Sequence, residues 1–485
     1  MNLSLMSLEI VVVALGLIVL MLDLGLPPER RRSLGHTAAL ALFFFWAYSF
    51  NFTAVEPQFA FGLSYVQDEM ALFFKRLFLL AGALALIIST DFGRRIESGH
   101  AEGCALMLFS IAGMMLAASA SHFVLLFVAV ELTTLPFFVL VSSQRQFRPC
   151  LEAGAKYLVL GALASAFLVF GMALVYAATG TLEFTALAAK VAVAKGPVTS
   201  PLFQAGMLLV LAGLGFKIAS VPFQFWVPDV YQGAPTPVAA LLAAGSKAAG
   251  FVLLIRVWLG VALPLSLEWN KLFMVLAGLT ILYGNLGAIP QRNLKRLLGY
   301  SSIAHAGYLL LGVAVLNRAG VSALLFYLLG YIFAVAAAFA VIELVVRESG
   351  AEDISALSGL HQRSPLLATA MTVAVVSLAG IPPLAGFMGK FLLIKAVIVK
   401  GSAVSGMYWL AAIAIAGVII GLWYYFGIIR AIFWSKDSPD LSPVEVSLPT
   451  RFALIACILA LFYLGLLPAL PLGWSEQAAL ALPIN

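Results

Sequence analysis

Residues Gly213–Phe251 read GLGFKIASVPFQFWVPDVYQGAPTPVAALLAAGSKAAGF, and this stretch decides the fold class. Two apolar runs, about 203–225 and 236–258, carry one lysine each, Lys217 and Lys247, and Pro222, Pro228 and Asp229 interrupt the region between them. Proline removes an amide donor and clashes with the preceding turn, which predicts a broken helix over 203–236. In hydrocarbon the backbone groups freed by such a break have to face protein or a water-filled cavity. A charge at the bilayer centre costs about 2.5–3.5 kcal/mol on the insertion scale, so packing gives no reason to keep these lysines.

The same pattern returns at 364–399, where Gly380, Pro382, Pro383 and Gly386 interrupt an apolar run and Lys390 and Lys395 follow. The whole chain is of this character: 63% of its 485 residues are hydrophobic and 10% are charged, against about 25% charged in soluble domains. Soluble enzymes are thereby excluded. The net charge of +6 is carried by basic residues scattered beside apolar runs, which excludes a nucleic-acid surface. A span needs about 20 apolar residues, and by that rule about 14 candidates appear, near 4–22, 36–52, 70–90, 103–120, 122–141, 154–178, 203–225, 236–258, 271–290, 297–316, 320–346, 364–399, 406–433 and 450–470. The longest polar stretches, about 179–202, 347–363 and 434–449, are too short for a soluble domain.

The predicted fold is therefore an all-α polytopic membrane protein of about 14 transmembrane helices. Paired broken helices are the pattern of transporters built from repeats. This predicts helices 1–3 over 1–102, a first five-helix repeat over 103–258, a second over 259–434, and a loop with the last helix over 435–485. Five spans per repeat make the two inverted in topology. Arg30, Arg31 and Arg32 follow the first span, which reads as an anchor and not as a cleaved signal. Loops assigned to one side hold 15 Lys and Arg, among them Arg30–Arg32, Arg94, Arg95, Arg292, Arg296, Arg347 and Lys436; the other side holds six, Lys190, Lys195, Arg256, Lys271, Arg318 and Lys400. The positive-inside rule puts the richer side in the cytoplasm and both termini in the periplasm of a bacterial inner membrane.

Seven basic residues remain inside spans: Lys75, Arg76, Lys156, Lys217, Lys247, Lys390 and Lys395. Glu131 stands mid-span in FVAVELTTLPFFVL, ahead of a bend at Pro136. Together, Glu131, Lys217, Lys247 and Lys390 read as a proton or cation relay, since a buried lysine loads and releases a proton and a nearby carboxylate biases it. Structural ion pairing is the competing reading, but one central acid cannot neutralise two central lysines in the first half. His305 in YSSIAHAGY joins as a candidate for proton passage. So does Lys395, although it is near enough to the span's end to snorkel. Lys156 does too, although its spacing from Glu152 is that of a helix-surface pair. Lys75 and Arg76 read as interfacial. Cys104, Cys150 and Cys457 show no metal or disulfide spacing, GFMGKF lacks the first glycine and the Ser/Thr of a phosphate loop, and no zinc, hydrolase or dinucleotide motif occurs. No cofactor or metal site is expected in this chain.

At this point VPFQFWVPDVYQGAPTPVAALLAAGSKAAGF, VELTTLPFFVL, NLKRLLGYSSIAHAGY and LAGIPPLAGFMGKF together resemble the antiporter-like membrane subunits of respiratory complex I over most of 103–434. DVYQGAPTPV, in place of the DAH stretch of two sister subunits, resembles the subunit N branch. The resemblance implies 14 helices and a place in the membrane arm of a proton-pumping NADH:quinone oxidoreductase, beside other membrane-arm subunits. NADH, FMN, iron–sulfur clusters and quinone would be handled by partner subunits of the peripheral arm. It also implies that Glu131 and Lys217 form an ion pair whose opening sends a proton by Lys247 to Lys390 and out. Many relatives carry histidine where Gln224 stands, which implies that the titratable step there is missing or replaced by a hydrogen-bonding, water-holding amide. A subunit of a multi-subunit sodium/proton antiporter, a membrane subunit of a proton-pumping hydrogenase and a pure scaffold are the competing readings.

Overall fold

The computed structural model describes residues 2–27, 31, 33–54, 56–93, 99–193, 200–261, 266–434 and 442–482. Arg30, Arg32, Arg94, Arg95, Lys195 and Lys436, which enter the orientation argument, lie outside the described residues. Helices start where a polar side chain can take an orphan amide. Asp68 accepts from the Ala71 amide at 2.8 Å, Asn293 from Arg296 at 3.0 Å and Asn317 from Gly320 at 2.9 Å. They run α1 (Ser7–Gly25), α2 (Leu34–Tyr48), α3 (Glu69–Phe92), α4 (His100–Ala118), α5 (Phe123–Val141), α6 (Arg148–Thr179), α7 (Phe184–Val193), α8 (Pro201–Ile218) and α9 (Trp226–Gly233). Next come α10 (Thr236–Trp258), α11 (Ser266–Ala288), α12 (Leu294–Ala314), α13 (Arg318–Ser349), α14 (Pro365–Ala379), α15 (Ala385–Lys400), α16 (Met407–Trp434), α17 (Leu448–Leu466) and α18 (Ala469–Leu480).

Among the described residues, 12 helices are long and apolar enough to cross a membrane, fewer than the expected 14 or so. The difference has a geometric cause. Leu34–Tyr48 has 15 residues, a rise of about 22 Å against a hydrocarbon core of about 30 Å. The segment expected at 364–399 is divided into pieces of 15 and 16 residues. Two features go beyond the expected all-helical pattern: a short antiparallel ribbon pairs Gln58–Ala60 with Tyr65–Gln67, and α7 and α18 are additional short helices.

Position in the bundle follows from burial. The apolar windows of α10 and α12 are 100% and 94% buried, whereas that of α17 is 28% buried. α10 and α12 are therefore interior helices although they carry Lys247, Arg256, Ser302 and His305, and α17 lies at the periphery of the bundle with most of its surface uncovered. α13 is interior too, with nearly every side chain from Val321 to Val346 covered.

Both breaks form, although not as drawn from the prolines alone. α8 ends at Ile218 with Ala219 in the left-handed region (φ +63°), and Pro222 follows in the connection. Pro228 breaks nothing, because it lies in the first turn of α9, where proline has no intrahelical donor to lose. The freed carbonyls find partners inside the protein: Phe216 O accepts from the Trp226 indole at 3.0 Å and Gly215 O from the Ser220 amide at 3.0 Å. At the second break α14 ends before Gly380, whose φ of +88° only glycine adopts readily. A Cβ there would also stand 2.9 Å from Lys390 Cδ.

The interfacial reading of Lys75 does not survive. Its side chain is 0% exposed and its Nζ lies 2.9 Å from Glu9 Oε1 and 2.6 Å from Tyr65 OH. The ribbon and α1 fold over the start of α3 and bury a residue that its place in the sequence puts near water. Arg256, in the last turn of α10, makes a two-point pair with Asp68 at 2.7 and 2.8 Å and donates to the Ala118 carbonyl at 2.8 Å. The helix that carries Lys247 is thus tied to α3 and α4. The three cysteines are all free and buried.

Candidate functional site: a buried lysine axis

Lys217 sits in the last turn of α8, 5% exposed, and its Nζ donates to Thr134 Oγ1 of α5 at 2.6 Å. Thr134 in turn donates to the Val130 carbonyl at 2.6 Å, which fixes its rotamer. Glu131 is three residues before Thr134 and so projects from nearly the same face of α5. Its Oε1 accepts from Ser165 Oγ of α6 at 2.5 Å. Among the described residues no ion pair joins Glu131 to Lys217; each is held instead by a hydroxyl. Gln224, 1% exposed, has no hydrogen-bond partner for its Oε1.

α10 approaches α8 closely because it has glycine at the contact: a Cβ on Gly250 would lie 3.3 Å from the carbonyl carbon of Lys217. Residues Leu242–Ser246, just ahead of Lys247, form a π-helical turn, an irregularity that recurs at functional sites. Lys247 is 2% exposed and reaches across to α12, where its Nζ donates to both the hydroxyl and the carbonyl of Ser302. Ser302 Oγ also accepts from Tyr331 OH of α13 at 3.1 Å and lies 3.2 Å from Tyr231 OH of α9. The Lys247 ammonium stands 5.5 Å from the centre of the Tyr331 ring.

Along α12, Ser302, His305 and Tyr308 follow at three-residue steps, so they line one face over about 9 Å of axis. His305 is 1% exposed, its Nδ1 bonded to Tyr327 OH and its Nε2 at 3.0 Å from Tyr425 OH of α16. Tyr425 OH also bonds Ser301. Lys390, 5% exposed, stands 4.5 Å from the centre of the Tyr308 ring. Its Nζ donates to the Leu378 and Ala379 carbonyls at 2.8 and 3.2 Å, the last carbonyls of α14. The lysine thus caps the helix end that the break exposes.

These contacts set Lys247, His305 and Lys390 along one interior helix, with hydroxyls between them. Among the described residues none of Lys217, Lys247 and Lys390 has a carboxylate within ion-pair distance. Each hydroxyl of this row can both donate and accept, but among the described residues no hydrogen bond joins Ser302 to His305, or His305 and its tyrosines to Lys390. Two further candidates stand apart from it. Lys156 is paired with Glu152 at 2.7 Å and with Asp229 at 2.6 Å, and Asp229 also holds Arg296 at 2.5 Å, a cluster that joins α6, α9 and α12 at their ends. Lys395 is exposed on α15.

Comparison with known proteins follows the same lines. Residues 120–421 match the family described as NADH:quinone oxidoreductase/Mrp antiporter, transmembrane. A relative from Heliobacterium modesticaldum named NADH-quinone oxidoreductase subunit N is 38% identical over 470 residues, 96% of this chain and 97% of its own. One of the same name from Moorella thermoacetica is 39% identical over 468 residues, 96% of each chain. The chain belongs to the NADH-quinone oxidoreductase subunit N family. A chain of respiratory complex I from Thermus thermophilus has the same fold, with a TM-score of 0.77 at 35% identity over 98% of this chain and 99% of that one. The fold is wider than the family: a chain of the Mrp complex from Dietzia sp. superposes with a TM-score of 0.82 at 24% identity, over 99% of this chain and 98% of that one.

Several residues of the axis escape a search for charges. Thr134, Ser165, Ser302, Tyr231, Tyr331, Tyr327 and Tyr425 are neutral and common in membrane helices. A signal was present nonetheless. Thr134 lies three residues from Glu131, Ser302 three from His305, and Tyr327 and Tyr331 are four apart, spacings that put hydroxyls on the same helix face as a titratable group or each other.

Proposed function

We propose that this chain moves protons as a membrane-arm subunit of a proton-pumping NADH:quinone oxidoreductase, through Glu131, Lys217, Lys247 and Lys390. His305 and the hydroxyls of Thr134, Ser302, Tyr331 and Tyr425 serve as intermediate positions. The observation that carries the reading is the run of three buried lysines, each held by neutral hydroxyls or carbonyls, two of which, Lys247 and Lys390, lie along a hydroxyl-lined face of α12. A lysine on a flexible stem loads, swings and discharges a proton. Glu131 and Lys217 are each bound to a hydroxyl, and Lys217 stays on the α5 face that carries Glu131; opening of that pair is the step that would release Lys217 towards α10.

Two inverted repeats, 103–258 and 259–434, place one broken helix and one buried lysine beside it in each half. Electron transfer from NADH to quinone belongs to partner subunits that carry FMN and iron–sulfur clusters; this chain performs no redox step. It lies in a bacterial inner membrane with both termini in the periplasm. Lys217→Ala and Lys247→Ala are expected to lower proton pumping and, through tight coupling, quinone reduction, in complexes that still assemble. Full pumping by either assembled variant would overturn the relay. Sodium-dependent proton exchange without NADH would move the same residues into an antiporter.

A further inference from the structure

A second polar feature lies at the end of the bundle where α13 begins and α15 ends. A cleft of about 610 Å³ opens there, walled by α13, α15 and α18. Its lining includes Arg318, Lys395 and Glu476, and its floor is apolar, with Leu392, Ala396 and Leu472. Arg318 Nε is buried without a hydrogen-bond partner, and neither Arg318 nor Lys395 makes a hydrogen bond or ion pair among the described residues. Glu476 is exposed on the opposite wall and pairs with neither. Two cations against one anion, all unpaired, thus surround a cavity that is greasy below.

We propose that this cleft binds an anionic phospholipid, with the phosphate between Arg318 and Lys395 and an acyl chain along Leu392, Ala396 and Leu472. The chemistry is complementary at both levels. Guanidinium and ammonium donors suit a phosphodiester, Arg by its forked N–H groups and Lys as a point charge. The N-terminus of the 32-residue α13, whose first residue is Arg318, adds positive potential on the same wall. A free inorganic phosphate would satisfy the cations but leave the apolar floor uncovered, which is why the occupant is a lipid. Lys395 is one and a half turns from Lys390 on α15, yet Lys390 points inward to α14 and Lys395 outward to the cleft. The two lysines therefore have separate work. A lipid seated here also fills the gap between α18 and α15, and so fastens α18 to the bundle.

The test uses the purified complex containing this chain, reconstituted in phosphatidylcholine bilayers with or without phosphatidylglycerol. Acetylation of Lys395 by a water-soluble amine reagent is followed by peptide mass spectrometry, with the exposed Lys271 as reference. Phosphatidylglycerol is expected to slow labelling of Lys395 relative to Lys271, and Arg318→Gln is expected to weaken that protection about fivefold, the usual worth of one basic residue near an anionic surface. The wild-type comparison stands even if Arg318→Gln fails to assemble. Equal labelling in both bilayers would overturn the proposal. So would equal protection by inorganic phosphate in phosphatidylcholine alone, or shielding of Lys395 in every condition, which would mean a protein neighbour fills the cleft.

Discussion

Ser302→Ala isolates the hydroxyl on which the axis turns. The substitution deletes the oxygen that meets Lys247, Tyr231 and Tyr331, and leaves Lys247 its bond to the Ser302 carbonyl. Little volume is lost, so packing is nearly preserved. A hydrogen bond to a charged group has a net worth of about 1.5–3 kcal/mol. If that contact is made as the proton leaves Lys247, its loss slows the hop about 10- to 150-fold, at 1.36 kcal/mol per decade. The assay is NADH-driven acidification in proteoliposomes, read together with NADH oxidation, on complex shown to be assembled by native electrophoresis. Pumping is expected to fall at least about tenfold if this hop limits turnover, and Ser302→Thr, which restores the hydroxyl, is expected to recover most of it. Wild-type pumping by assembled Ser302→Ala would refute the place of Ser302 in the path. Equal loss in the Ala and Thr variants would show that packing and not the hydroxyl is at stake.

Further expectations concern the same architecture. Tyr331→Phe removes a second contact to Ser302, and its effect on pumping should be clearly less than additive with Ser302→Ala because both act through one oxygen. Gly380→Ala forces a left-handed residue and drives a methyl against Lys390, so the assembled complex should lose about 1–3 kcal/mol of stability in urea or heat titration, with unchanged stability counting against the strain. Asp68→Ala leaves the buried Arg256 without its partner, a loss of about 3–5 kcal/mol that thermal melting in detergent would register. A melt no lower than wild type would mean that water reaches Arg256 freely.

The membrane class and the two interruptions were legible in the sequence because both rest on local chemistry. A run of apolar residues has no soluble alternative, and glycine and proline act on the backbone where they stand. The same holds for Lys217, Lys247 and Lys390, since an ionisable residue in mid-span is conspicuous whatever surrounds it. Whether a break falls at Pro222 or Pro228 was not legible from the prolines, because proline is harmless in a first turn and the turn's start depends on where α9 begins. Nor was the burial of Lys75, which depends on a ribbon and a helix packed across the start of α3.

Partnership is what the tertiary structure alone decided. The sequence determined that charges are buried, and could not say that Lys217 and Glu131 are each held by a hydroxyl, since Thr134 and Ser165 come from helices whose rotation about their axes is fixed by packing. It set His305 among apolar residues, whereas the tyrosines that grip it come from α13 and α16, 22 and 120 positions away. It offered Lys390 and Lys395 as neighbours on one helix, and only the folded bundle turns the first onto the carbonyls of α14 and the second into an open cleft. Local chemistry sets which groups are costly to bury; the angular positions of helices around a common core set which groups then meet.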